Sequence, residues 1–374
     1  MSGRTSAWLP DGAGLLFLAG DRGTVALYRA DLAGSPIAKV LGGERQVESF
    51  ALSPDGARVA FVASWASEPG EVYSTALNGG RERNLSHAND DLRTTVEIAR
   101  TGRMTYKAPD GLEIEAFVIY PPGFQRGKPC PVALDIHGGP HSVHPSPFAF
   151  LQLQSLAAAG YVVLLPNPRG SSTYGEEFTQ ACIGDWGGKD FEDLMAGVDE
   201  LVRRGIGDPG RLFVGGYSYG GFMTTWTVGH TDRFRAAVVG APVADAVSMF
   251  GTSDIPRFSV YELGASPFDD PDEFRARSPV THLPNVRTPV LLMHQEGDLR
   301  CPIGQSEEVF QALKMLGKEV EFVRYPGGSH GVHTPSQQVD RIKRTLGWYE
   351  SHAPAKPASR RTSARHTAAA KPAR

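Results

Sequence analysis

Arg211-Leu212-Phe213-Val214-Gly215-Gly216-Tyr217-Ser218-Tyr219-Gly220-Gly221 reads as an apolar strand running into a G-x-S-x-G turn, with a helix opening at Phe222. A serine in so sharp an elbow requires residues without side chains two positions to either side, because strand and helix approach too closely there for a Cβ. Gly216 and Gly220 fill those positions. The strained turn lifts Ser218 Oγ above the edge of the sheet.

A hydroxyl is a poor nucleophile until an imidazole removes its proton, and that imidazole needs a carboxylate on its far nitrogen. Both partners are expected on later strand-end loops. Pro289 to His294 is an apolar strand whose following loop carries Asp298, and Val320 to Tyr325 leads into Pro326-Gly327-Gly328-Ser329-His330-Gly331. Glu296 and His333 are the neighbouring alternatives, and the Gly-flanked strand-end position favours His330. His294, at the end of a strand, reads as structural. The order Ser218, Asp298, His330 resembles that of α/β-hydrolases.

The tetrahedral intermediate of such chemistry carries an oxyanion, which needs hydrogen-bond donors where the charge develops. One donor is expected to be the backbone N–H of Tyr219, at a helix N-terminus whose dipole also favours negative charge. The second is expected from the glycine-rich loop His137-Gly138-Gly139-Pro140-His141, with Gly139 as the choice. His137, His141 and His144 could instead be metal ligands, but the intervening Gly-Gly-Pro breaks any helical face that would converge them. No metal and no cofactor is expected.

Around the elbow, from about residue 100, apolar strands alternate with helical segments. That pattern indicates a doubly wound, mostly parallel sheet covered on both faces. The expected strands are Pro131 to Ile136, Tyr161 to Leu165, Leu212 to Gly215, Ala236 to Val239, Val290 to His294 and Val320 to Tyr325. Asp190 to Arg203 is an expected helix, with Phe191, Leu194, Met195, Val198, Leu201 and Val202 on its apolar face.

Nearer the N-terminus the chain repeats itself. Trp8-Leu9-Pro10-Asp11-Gly12 returns 44 residues later as Leu52-Ser53-Pro54-Asp55-Gly56, and Leu27-Tyr28-Arg29-Ala30-Asp31-Leu32 is echoed by Val72-Tyr73-Ser74-Thr75-Ala76-Leu77. Short strands and Pro-Asp-Gly turns at a period of about 40 to 45 residues suggest propeller blades. Two copies cannot close a ring, so residues 1–95 are expected to be a partial β-propeller, ahead of a hydrolase domain over 96–350.

The chain has 374 residues, three cysteines and a net charge of −3, with 41% hydrophobic residues and no apolar run approaching a membrane span. The opening residues show no secretory signal and the cysteines form no disulfide framework, so a cytoplasmic location is expected. Cys182 and Cys301 read as packing residues. Residues 351–374 carry six basic and no acidic side chains, are rich in Ala, Pro and Ser, and are expected to be disordered. The rest of the chain is acidic, which argues against a nucleic-acid partner.

Taken together, the Asp110-Gly111 entry, His137-Gly138-Gly139-Pro140-His141, Asn167-Pro168-Arg169-Gly170-Ser171 with Tyr174-Gly175, Asp185-Trp186-Gly187, the Ser218 elbow, Gly251-Thr252-Ser253-Asp254-Ile255 and Asp298-Leu299-Arg300-Cys301-Pro302 resemble the prolyl oligopeptidase family, in its acylaminoacyl-peptidase-like branch. The resemblance runs through most of residues 104 to 350. It implies a C-terminal α/β-hydrolase domain behind a β-propeller that limits substrate size, short peptide substrates, the set Ser218, Asp298 and His330, and donors at Tyr219 and Gly139. It also implies that Arg300 holds a substrate backbone carbonyl, against the alternative of a surface ion pair.

Two departures stand out. Gly328 replaces the acidic residue the family often has two positions before its histidine, which suggests a less tethered loop. The propeller region is short, which suggests weaker size discrimination or a homo-oligomer in which a second copy covers the open surface. The leading expectation is a serine peptidase forming an acyl-enzyme on Ser218. The alternatives are a carboxylesterase with the same residues and a non-catalytic binding protein on a hydrolase scaffold.

Overall fold

A computed structural model of the chain describes residues 6–65, 67–144, 151–331 and 334–354. Of the expected disordered tail, residues 355–374 lie outside the described residues, as does His333.

The N-terminal repeat folds as two antiparallel four-stranded meanders. The first is β1 (Ser6–Trp8), β2 (Gly14–Asp21), β3 (Thr24–Asp31) and β4 (Ala38–Leu41); the second is β5 (Arg45–Leu52), β6 (Arg58–Trp65), β7 (Glu68–Ala76) and β8 (Arg83–Asn84). A single parallel pairing, Val25 with Gln46, joins them. The repeated turns are made alike: Asp11 Oδ1 accepts the Ala13 N–H at 2.9 Å, and Asp55 Oδ1 accepts that of Ala57 at 3.0 Å. Leu16, Leu27, Val47, Val59 and Phe61 supply the shared apolar core.

The second sheet carries the elbow. Its strands are β9 (Thr101–Lys107), β10 (Glu113–Ile119), β11 (Cys130–Ile136), β12 (Val162–Asn167), β13 (Gly207–Tyr217), β14 (Ala237–Gly240), β15 (Val290–Gln295) and β16 (Val320–Tyr325), in the order β16-β15-β14-β13-β11-β12-β10-β9. The six strands from β12 to β16 run parallel, and the hairpin β9–β10, which was not among the expected strands, adds antiparallel to β12. Alternation along each parallel strand feeds two cores. Val132, Leu134 and Ile136 face one with Leu194, Val198 and Leu201 of the helix Lys189–Arg203, while Ala133, Val163 and Leu165 face the other with Trp348 and Tyr349 of the helix Pro335–Ser351. The sheet is thus covered on both faces, as expected, and its strands end at one edge where the loops carrying Ser218, Asp298 and His330 gather.

The two sheets touch through the tip of the β2–β3 hairpin. Arg22 and Gly23 donate backbone N–H groups to the Thr173 carbonyl and hydroxyl at 3.0 and 2.9 Å, and Arg103 donates to the Arg22 carbonyl at 3.0 Å.

Candidate active site

Ser218 sits between β13 and the helix Tyr219–His230 with φ 64° and ψ −122°, a conformation that L-residues rarely hold. Its N–H is fixed to the Gly240 carbonyl at 2.9 Å. The elbow glycines are sterically required: a Cβ at Gly220 would lie 2.0 Å from the Ile136 carbonyl oxygen, and one at Gly216 would lie 2.5 Å from that of Gly220. Behind the serine, the Tyr219 side chain is buried, with its hydroxyl 2.5 Å from Asp190 Oδ2 and its ring edge-to-face on Trp186. The elbow is therefore pinned on both its backbone and its side-chain side.

The three residues expected to act together do meet. His330 Nε2 is 2.9 Å from Ser218 Oγ, and His330 Nδ1 is 2.7 Å from Asp298 Oδ2. Asp298 Oδ1 accepts the N–H groups of Arg300 at 2.9 Å and Cys301 at 3.0 Å. Burial raises the Asp298 carboxyl, but hydrogen bonds from His294, His330 and the Cys301 amide outweigh it and hold the group well below the usual carboxylate range. It is a permanent anion facing the imidazole. Glu296, the other carboxylate considered, instead pairs with Arg324 at 3.0 Å.

His294 is fully buried, with Nε2 2.8 Å from the Cys301 carbonyl and 3.3 Å from Asp298 Oδ2, so it ties the strand end to the Asp298 loop. At Gly328, where an acid was looked for, the base of the His330 loop is held by backbone bonds instead. Glu296 and Gly297 donate backbone N–H groups to Tyr325 and Gly327 at 2.9 and 3.2 Å, knitting the two loops together. Sequence reasoning missed Tyr217, whose ring lies 5.3 Å from that of His330 and whose hydroxyl donates to Gln295 at 2.8 Å. An aromatic next to a nucleophile is a weak signal, because most such residues are core.

The loop after β11 lies against the serine: a Cβ at Gly138 would fall 3.3 Å from Ser218 Cβ. Gly139 follows with φ 124°. The loop histidines do not behave as a separated set. His137 and His144 come ring against ring at 5.1 Å in spite of the Gly-Gly-Pro between them, but their nitrogens are spent locally, His137 on the Gly138 carbonyl and Ser171, His144 on the Asp135 carbonyl. Burial pushes His137 down to about 4, which keeps it neutral at physiological pH. His141 instead points to Glu262, 2.9 Å away.

Arg300 is paired with Asp254, Nε to Oδ1 at 2.7 Å, with its side chain 44% exposed, the ion pair weighed as its alternative role. Ser253 Oγ also bonds the Arg300 carbonyl at 2.7 Å, so the Gly251–Ile255 segment and the Asp298 loop form one rim. Burial and the Asp298 charge push the Cys301 thiol up to about 12, which makes it an inert neighbour of the site.

A serine held strained at a helix N-terminus, an imidazole at hydrogen-bond distance and a buried anion behind it can generate and stabilise an alkoxide, and so attack a carbonyl. Comparison with known proteins agrees. A family model described as the prolyl oligopeptidase family matches residues 147–355. An uncharacterised peptidase, YuxL, of Bacillus subtilis is 38% identical over 92% of this chain and 53% of its own length, and the acylamino-acid-releasing enzyme of Arabidopsis thaliana is 35% identical over 61% of this chain and 31% of its own. Among solved structures, Pyrococcus horikoshii acylaminoacyl peptidase superposes with a TM-score of 0.84 at 28% identity, covering 93% of this chain and 56% of that one. The chain spans about half the length, or less, of these curated relatives. With the family model covering more than half of its residues, the chain belongs to the prolyl oligopeptidase family.

Proposed function

We propose that this chain is a serine peptidase that hydrolyses short peptides through an acyl-enzyme on Ser218. The continuous line of contacts from Ser218 Oγ through His330 to Asp298, at 2.9 and 2.7 Å, carries the reading. In this scheme His330 Nε2 takes the Ser218 proton as Oγ attacks the scissile carbonyl, then returns it to the leaving amine. Asp298 holds the Nδ1–H tautomer and stabilises the imidazolium. The N–H groups of Tyr219 and Gly139 receive the oxyanion, each such donor being worth about 10² to 10³ in kcat. Water then enters by the same proton route in reverse and releases the acyl group.

The rim residue Arg300 is assigned to a substrate backbone carbonyl, with Asp254 holding the guanidinium fork in place. The relatives support a peptide substrate: one related structure, 27% identical, is an acylaminoacyl peptidase in complex with Z-Gly-Gly-Phe-chloromethyl ketone. Residues 1–95 are assigned as two propeller blades and 96–350 as the peptidase domain. Two blades by themselves close no tunnel. No helix among the described residues is long and apolar enough to cross a membrane.

The deciding experiment labels wild type and Ser218→Ala with a fluorophosphonate, then measures turnover of N-acetyl-aminoacyl, free aminoacyl, dipeptidyl and ester chromogens. Labelling of the wild type alone is expected, with peptide bonds cleaved. Labelling of both proteins would overturn the nucleophile, and turnover of esters alone would overturn the peptidase reading.

A further inference from the structure

Beside the proposed reaction centre, three side chains that take no part in it converge. His141 comes from the loop after β11, Cys182 from the turn after the helix Glu176–Gln180, and Glu262 from the helix Pro256–Leu263. Their ligand-type atoms all lie within 4.8 Å of one another. Each is shaped by its surroundings for this meeting. His141 donates its Nδ1 hydrogen to the Gly170 carbonyl at 2.9 Å, the outer contact by which proteins orient an imidazole whose other nitrogen takes a metal. That other nitrogen, Nε2, faces Glu262 Oε1 at 2.9 Å.

Glu262 is 1% exposed, and its second oxygen accepts the Trp186 indole N–H at 3.1 Å, which leaves Oε1 for the cluster. Cys182 reaches the site only because residue 170 is glycine: a Cβ there would lie 2.5 Å from Sγ. With its side chain 26% exposed, His141 also provides an opening from solvent.

We propose that His141, Cys182 and Glu262 form a binding site for a thiophilic divalent cation, for which zinc is the best match. One imidazole nitrogen, one thiolate and one carboxylate with a fourth position open is a zinc-type donor set. Tetrahedral bonds of about 2.1 Å to nitrogen and oxygen put those two atoms about 3.3 Å apart, so the His141–Glu262 pair has only to open by a few tenths of an ångström, while Sγ closes in by about 1 Å. Binding breaks the His141 Nε2–H and Cys182 S–H bonds and forms Zn–N, Zn–S and Zn–O bonds. Two protons leave to solvent with no change of oxidation state, and affinity therefore rises with pH. The site adjoins the reaction centre twice: His141 lies two residues beyond Gly139, and Glu262 lines an apolar pocket with Trp186, Phe222 and Phe258 next to the elbow helix. A bound cation therefore stiffens the loop that carries the oxyanion donor and slows acylation, a consequence that rests on the proposed function, whereas binding itself does not.

The test is a cobalt(II) titration of the full chain, read by the thiolate-to-cobalt charge-transfer band in the near ultraviolet. One equivalent is expected to bind at pH 7.5, to be displaced by zinc, and to bind at least about tenfold more weakly at pH 6.5. The band should vanish in Cys182→Ser, persist in Cys130→Ser, and require at least about tenfold more cobalt in His141→Gln, a partly exposed position whose circular dichroism reports the fold. No saturable band in wild type, or a band that survives Cys182→Ser, overturns the site. Zinc should also slow fluorophosphonate labelling of wild type but not of His141→Gln; cobalt binding without slowed labelling overturns the link to the loop. A chain that is never labelled defeats the peptidase reading and leaves the cobalt result standing.

Discussion

Replacing Asp298 by asparagine should lower kcat by about 10⁴ without unfolding the protein. The geometry forces the outcome. Asp298 Oδ1 accepts two backbone N–H groups, from Arg300 and Cys301, while Oδ2 faces His330 Nδ1 at 2.7 Å and His294 Nε2 at 3.3 Å. An asparagine NH₂ cannot sit against two N–H donors, so its oxygen must take the Oδ1 place and its NH₂ must turn to the imidazoles. It then donates to His330 Nδ1 and imposes the tautomer whose Nε2 already carries a hydrogen and cannot accept the Ser218 proton.

The charge is lost as well. At an effective dielectric of about 20, a carboxylate about 4 Å from the centre of an imidazolium is worth about 4 kcal/mol. At 1.36 kcal/mol per decade that is about three orders of magnitude in rate. The wrong tautomer acts in the same direction, and the same change in a well-studied serine peptidase lowers kcat by about 10⁴. The assay is kcat on a chromogenic peptide at pH 8, with thermal melts run in parallel. A folded variant keeping more than about a tenth of wild-type kcat would refute the scheme.

Three further outcomes are expected. Gly220→Ala, whose Cβ would meet the Ile136 carbonyl at 2.0 Å, should destabilise the protein by about 3 kcal/mol or more, whereas Gly251→Ala in the helix Ala246–Thr252, with open space around it, should be neutral or slightly stabilising in the same thermal melt; equal effects would contradict the steric account of the elbow. Glu71, in the N-terminal sheet, is raised by burial but drawn down to about 2 overall by hydrogen bonds from Ser86, Ala88 and Asn89. Its folded pKa lies below the usual 4.5, so it adds stability that is fully present above pH 4.5 and is lost as pH falls from 4.5 to 2; in Glu71→Gln the urea midpoint should lose that part of its acid dependence. Arg300→Met should lower kcat/KM for peptides by about tenfold or more and leave fluorophosphonate labelling nearly unchanged, since the phosphonate offers no upstream carbonyl; equal loss in both would assign Arg300 to holding the loop through Asp254.

Much of the site was legible because it depends on turn chemistry at strand ends. The Gly216–Ser218–Gly220 spacing, the apolar runs Val290 to His294 and Val320 to Tyr325, and the polar loops after them each mark a carboxyl end of a parallel strand, and parallel topology brings such ends to one edge. Of the β9–β10 hairpin, β9 was hard to see because Thr101–Lys107 has only two buried apolar residues, Met104 and Tyr106, among polar ones, whereas β10, with Ile114, Ala116, Phe117, Val118 and Ile119 buried, carried a legible apolar run that was overlooked. Partnerships across loops were also hidden. Nothing local in the sequence links Arg300 to Asp254, 46 residues away, or draws His141, Cys182 and Glu262 together from three segments. The Gly-Gly-Pro argument against convergence held for a helical face but not for a folded-back loop, as the contact of the His137 and His144 rings demonstrates.

The seat of the β2–β3 tip on Thr173 has a mechanical meaning. The residues just before Thr173 are already committed elsewhere: Ser172 donates to the Ser142 carbonyl at 2.9 Å, and Ser171 Oγ holds His137 Nε2 at 3.0 Å. Any tilt of the amino-terminal lobe therefore pulls on a short tether whose far end is the loop His137–Ser142, the bend proposed above to receive the oxyanion. Removing the first strands from the chain would slacken that tether and, on the proposed function, should detune turnover even of small substrates.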